Sequence, residues 1–327
     1  MQMLSIKELK SLKEISWKRP LKLVLINNGK RETFLKFEQF CNCLIEATPH
    51  LRLEYGKERL IGLPALKLDN VNIYYLSLPL GEQWQPFLSA IRAMASKNIE
   101  VGEDGLEALK DINSPIEIKV MIKKACPLCP IAANLANQAA IANMLIRTYI
   151  IDVEVYPRIK RDYQVTATPT VIINEDYILV ERQVRDMIKW AVKASKKIYD
   201  SEVLRSLLKE ARAQRVVQLC LERGKIPNSL LNLLLDIELS SRVGTMVVLE
   251  EVSKEAPNIV QNTIPKLLSM LRLPDKRDRG DVLYILGLIG TPEIIPILKD
   301  IASKETEELE EIALEAIENI KKRHILH

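Results

Sequence analysis

The sequence predicts an α/β region over residues 1–198 and an all-α region over 199–327, and three observations carry that reading. Short runs alternate apolar and polar residues, as half-buried strands do, with helical runs between them. The same order of elements occurs twice, over 1–98 and again over 99–198. From Ser201 onward the apolar spacing is helical throughout.

In 99–198, Ile116, Ile118, Val120 and Ile122 alternate with Glu117, Lys119 and Met121, which predicts a first strand over 116–122. Cys126-Pro127-Leu128-Cys129 follows it. An Ala-rich run over 130–144 places Ile131, Leu135, Ala139 and Ala142 at helical spacing. A second strand is predicted at 148–153. A short helix fits 155–163, where Pro157 is tolerated in the first turn. Thr168-Pro169-Thr170 opens a third strand, 170–174. The turn Asn174-Glu175-Asp176 leads to a fourth, 177–181, and 184–195 reads as a closing helix.

The first segment repeats this order. Residues 21–26 read as a strand, 34–47 as a helix and 51–55 as a strand. Leu63-Pro64-Ala65 precedes two strands, one around Leu66 and one at 71–76, and a helix lies near 81–94. Pro64 thus falls where Pro169 falls. Between the first strand and its helix the chain reads Asn27-Asn28-Gly29-Lys30-Arg31-Glu32-Thr33, without a cysteine. Cys41 and Cys43 lie about two turns into that helix, too far along to stand in for one.

Two cysteines separated by two residues at a helix start suit thiol–disulfide exchange. Helix amides and the macrodipole lower the first thiol's pKa, and the second lies within reach to resolve a mixed disulfide. Half of a zinc site, or two buried cysteines, are the alternative readings. Zinc needs about four ligands, commonly supplied as two pairs. Cys41, Cys43, Cys220, His50, His324 and His327 form no second pair of that kind in the same half. No metal and no cofactor is implied.

The order strand–helix–strand–helix–strand–strand–helix, with C-x-x-C after the first strand and a proline before the third, resembles the thioredoxin/glutaredoxin fold. Two such units in tandem, the second carrying C-P-x-C-P, resemble the archaeal and bacterial glutaredoxin-like protein disulfide oxidoreductases. The N-terminal domain of the alkyl hydroperoxide reductase flavoprotein shares the tandem plan. The resemblance covers roughly residues 1–198. It implies Cys126 as attacking thiolate and Cys129 as resolving thiol. It implies a cis proline at Pro169, with Thr168 offering its backbone to the substrate as an added strand. Pro127, Leu128, Thr168 and Pro169 are the residues expected to meet substrate. The partners implied are disulfide-bearing proteins and a reductase donor. The first unit departs from the pattern by lacking its dithiol, and is expected to act as scaffold or docking surface.

In 199–327, residues 258–272 and 276–289 read as one helix pair, 292–303 and 306–322 as another. Runs at 203–221 and 229–254 are compatible with earlier helices. Ile264-Pro265-Lys266-Leu267-Leu268 and Ile294-Ile295-Pro296-Ile297-Leu298 begin the two pairs alike, and Gly290 reads as a helix stop. This resembles HEAT repeats, which stack helix pairs into a solenoid and imply a protein partner on the concave face. A cap on the redox region, or self-association, is the other reading.

Composition excludes several classes. A net charge of +4 is far from that of a dedicated nucleic-acid binder. No apolar run reaches transmembrane length. Residues 1–17 read as an amphipathic helix rather than a signal peptide. Five cysteines with one C-x-x-C fit a reducing compartment, so a cytoplasmic location is expected.

Overall fold

The computed structural model describes residues 3–27, 31–96, 98–305 and 307–325. Asn28, Gly29, Lys30, Thr306 and His327, which figure in the readings above, lie outside the described residues. The chain forms two compact units, Met1–Ile198 and Tyr199–His327.

The first unit opens with α1 (Ile6–Lys13), held by a capping box in which Ser5 and Glu8 bond each other's main-chain N–H. Then come β1 (Leu21–Ile26), α2 (Arg31–Ala47), β2 (Leu51–Gly56), β3 (Ala65–Leu68), β4 (Ile73–Leu76) and α3 (Trp84–Ser96). After α4 (Glu103–Lys110) the order returns as β5 (Ile116–Ile122), α5 (Cys129–Ala142), β6 (Ile146–Asp152), α6 (Pro157–Asp162), β7 (Thr170–Ile173), β8 (Tyr177–Val180) and α7 (Met187–Ser195). The closing helices begin later than the sequence pattern implies. Tighter 3-10 helix occupies Gly81–Gln83 and Glu181–Asp186 ahead of α3 and α7. The short helix starts at Pro157, where the missing N–H costs nothing, and leaves Val155 outside.

All eight strands join one sheet in the order β2-β1-β3-β4-β6-β5-β7-β8. Each half contributes the same pattern. Its first two strands run parallel across a helical crossover, and its last two are added antiparallel. The halves meet where β4 pairs in parallel with β6, Ile73 opposite Thr148 and Leu76 opposite Ile151. That pairing removes two sheet edges that would otherwise expose unpaired backbone. It also explains why β4 and β7 read as nearly continuous apolar runs, since central strands are buried on both faces. In α2 the buried residues are Phe37, Phe40, Cys41 and Leu44, one stripe at helical spacing. The Ala-rich α5 is buried along most of its length, with α3 and α7 packed against it.

The second unit is helical throughout: α8 (Ser201–Lys209), α9 (Ala213–Arg223), α10 (Asn228–Leu231), α11 (Leu239–Glu255), α12 (Pro257–Gln261), α13 (Ile264–Met270), α14 (Lys276–Ile289), α15 (Ile295–Ala302) and α16 (Glu307–Ile325). The runs at 203–221, 229–254 and 258–272 are each broken. The first breaks at Ala211, whose φ of 55° is left-handed and incompatible with a continuing helix. At α14 the Asp275 side chain caps the N–H groups of Arg277 and Asp278. Gly290 does end this helix, but in extended conformation at φ −67°, so a left-handed stop is not the reason for glycine. A Cβ there would lie 2.4 Å from the Leu286 carbonyl oxygen, so the need is for space.

Candidate active site

The candidate site is built where β5 ends. Lys123, Lys124 and Ala125 are exposed, and the chain then turns inward at Cys126. The Cys129 N–H donates to the Cys126 carbonyl at 3.2 Å, closing the turn that holds Pro127 and Leu128. Cys129 is the first residue of α5, and Ile131 and Ala132 donate back to Leu128 at 3.2 and 3.3 Å. Pro130 is tolerated because the helix's first N–H groups have no intrahelical acceptor. Pro127 therefore sits in the turn ahead of the helix. Cys126 and Cys129 form a disulfide across a Cα–Cα distance of 5.4 Å. Both are buried, whereas Pro127 is exposed and Leu128 half-buried.

β7 lies beside β5 with Thr170 opposite Met121, so the residues before Thr170 flank the chain as it leaves β5. The Thr168–Pro169 peptide is cis. Pro169 is buried and its carbonyl accepts from the Glu181 N–H at 2.9 Å. Thr170 Oγ1 donates to the Ala167 carbonyl at 2.9 Å. Thr168 precedes the ladder, and its buried hydroxyl has no hydrogen-bond partner among the described residues. The disulfide, Thr168 and Pro169 thus stand at one end of the sheet.

Two further groups at this end were not singled out from sequence. Asp152 ends β6 opposite Ile122. Its Oδ1 accepts from the N–H groups of Glu154 and Val155 at 2.9 and 3.4 Å. Burial pushes its pKa up, and those main-chain bonds only partly offset the shift. Gln83, in the helical turn before α3, is buried with neither amide atom hydrogen-bonded among the described residues. A polar residue closing a strand was the one available signal for Asp152; none pointed to Gln83.

The other thiols lie elsewhere. Cys41 is buried in α2, where burial, reinforced by Glu38, pushes its pKa up to about 12. Burial raises Cys220 to about 11 despite Arg223. Cys43 is half-buried. His50 stacks on Trp17 with ring centroids 5.2 Å apart, and His324 lies near the end of α16. Among the described residues no three His, Cys, Asp or Glu side chains cluster as a metal site. No described helix is long and apolar enough to cross a membrane.

The fold and the paired cysteines define a thioredoxin-like α/β region followed by a largely helical region. Residues 116–186 match the thioredoxin domain family. Among solved structures, the N-terminal NTD_N/C domain of alkylhydroperoxide reductase AhpF from Enterococcus faecalis is similar, with a TM-score of 0.53 and 14% identity over 57% of this chain and 99% of that one. A protein disulfide oxidoreductase from Aeropyrum pernix is similar with a TM-score of 0.52 and 20% identity, over 58% of this chain and 91% of that one. No curated protein matches this chain.

Proposed function

We propose that the protein is a thiol–disulfide oxidoreductase that reduces disulfides in protein substrates. The observation that carries this reading is the Cys126–Cys129 disulfide at the carboxyl end of β5, flanked by cis-Pro169. In the dithiol form, Cys126 as thiolate attacks a substrate sulfur, forming a mixed disulfide and releasing one substrate thiolate. Cys129 loses its proton and attacks Cys126 Sγ, which restores the Cys126–Cys129 disulfide and releases the second substrate thiolate. Two electrons pass to the substrate, and a dithiol reductase donor returns them. Cys126 lies just before the amino end of α5, which favours its thiolate. Thr168 offers free backbone beside it, and Pro127 and Leu128 form the surface around the sulfur. A reducing, cytoplasmic setting suits this direction of flux.

The helical unit is read as HEAT-like and as the docking arm for a protein partner. Its support is an exposed apolar stripe on α11, Leu239, Val243 and Val247 at four-residue spacing, continued by Ile237. A second reading, an adaptor with a vestigial or regulatory dithiol, is favoured by the missing first dithiol and the raised pKa of Cys41.

Dithiothreitol-driven insulin reduction by wild type and Cys126→Ser separates the two. The oxidoreductase loses its activity with Cys126, and its dithiol titrates near the cytosolic poise of about −220 to −320 mV. Cys129→Ser should trap mixed disulfides with substrates. Absence of both activity and trapping would favour the adaptor.

A further inference from the structure

On the flank of β5 opposite Pro169 lies a cavity of about 260 Å³. It opens at the carboxyl ends of β4, β5 and β6, where the two halves join. Lys124, on its rim, is two residues from Cys126, a span of at most about 7 Å. Its wall is mostly apolar: Phe37, Leu80, Ile122 and Val155.

Two side chains break that apolar lining. Gln83 is 4% exposed and Ser77 1% exposed. The amide nitrogen and oxygen of Gln83, and the Ser77 hydroxyl, make no hydrogen bond among the described residues, although both residues line the cavity. Leaving such groups buried and unpaired is unfavourable, so an occupant that pairs them is favoured. Of the rim charges, Lys36 pairs with Glu32 at 2.8 Å, and the Asp152 carboxylate accepts two main-chain N–H groups. The site therefore suits a neutral, apolar occupant carrying one donor and one acceptor side by side. An extended peptide offers that pair, because one residue's N–H and C=O point to the same side of the strand.

We propose that this cavity is a substrate subsite. It takes an apolar side chain of the disulfide-bearing chain and pairs that residue's backbone amide with Gln83. The inference rests on the oxidoreductase reading for the origin of the peptide. Strands are about 4.8 Å apart and an extended chain rises about 3.3 Å per residue, so the occupant stands about two or three residues from the attacked cysteine. The substrate crosses Cys126 from the Thr168 side and is read on the far side.

The test is a set of synthetic disulfide peptides. A single leucine is walked over three positions on either side of the cysteine, against glycine at each. A third series carries an N-methyl group on that residue's amide. At one position, leucine should raise kcat/KM of reduction about ten-fold over glycine, and N-methylation should remove about ten-fold. Gln83→Leu should become indifferent to N-methylation, and Val155→Glu, on the exposed rim, should lose the preference for leucine. Peptides with serine for cysteine, binding to Cys126→Ser/Cys129→Ser protein, should show the same preferences in Kd. Normal reduction without discrimination would overturn the subsite alone, with water filling the cavity. Discriminating binding without reduction would overturn the oxidoreductase reading and leave the subsite standing.

Discussion

The Tyr156 hydroxyl donates a 2.5 Å hydrogen bond to the carbonyl oxygen of Pro64. Tyr156 stands at the entry to α6 in the second half, and Pro64 is the cis proline of the first. The bond engages the first half's proline from across the β4–β6 join. Gly62 makes room for it: a Cβ there would lie 3.2 Å from the Tyr156 ring and 2.6 Å from Leu76.

Tyr156→Phe should therefore destabilise the first unit. It leaves the Pro64 carbonyl without its donor, a loss of about 1–3 kcal/mol, read as a lower Tm. Burial, then Asp152, raises the Tyr156 pKa above its ordinary value. A raised pKa means the folded state holds its proton more tightly. That stabilisation is complete below about pH 10 and is lost as pH rises through the folded-state value. Alkaline melting curves of wild type should show this component and those of Tyr156→Phe should lack it.

Alkylation should sort the cysteines. At pH 8 the folded, oxidised protein should label at Cys43, which is partly exposed. Cys41 and Cys220 should stay unlabelled until denaturant is added, because both are buried and burial raises their thiols to about 12 and about 11. Mass spectrometry after iodoacetamide reads the pattern. Fast labelling of Cys41 in the folded state would overturn this order.

Gly287→Val should loosen the second unit. A Cβ at Gly287 would lie 2.8 Å from the Ala316 Cα, so α14 and α16 approach backbone to backbone there. Arg323 of α16 also donates to the Gly287 and Gly290 carbonyls at 3.0 and 2.9 Å, closing the end of α14. Overpacking should cost about 1–3 kcal/mol in thermal unfolding. Exchange at Cys126 should be retained.

Arg205→Ala should weaken the second unit at neutral pH more than in acid. Burial opposes the Asp236 charge, but the Arg205 bond at 2.5 Å and the Glu238 N–H outweigh it and hold the carboxyl below its ordinary range. A lowered pKa contributes stability above about pH 4 that is lost as pH falls through the folded-state value. Without Arg205 that contribution is gone: about 2 kcal/mol is lost at neutral pH, and the gap to wild type closes as pH falls below about 4. Circular dichroism across pH 2–7 reads this.

Much of the fold was legible because it is written in local periodicity. The strands Leu21–Ile26 and Ile116–Ile122 and the helix Lys276–Ile289 have the bounds read from sequence alone. Each is bordered by a local signal: a loop of polar residues, a lysine pair, or a capping aspartate followed by a glycine. The long helical runs of the second unit were less legible. Their breaks depend on left-handed or extended residues, such as Ala211 and Asp236, that hydrophobic spacing does not report. The site was legible only where a motif has a local spacing, at Cys126, Cys129 and Pro169.

Residue order alone was enough to place a dithiol before a helix, a proline before a strand and the change from mixed to helical architecture. Those features depend on neighbours within a few positions. The union of the halves through Ile73–Thr148, the bond from Tyr156 to Pro64 and the burial of Gln83 beside Ile122 and Asp152 required the folded chain. They join residues between about 40 and 90 positions apart, and a pairing at that distance is chosen by which edges and faces remain to be buried.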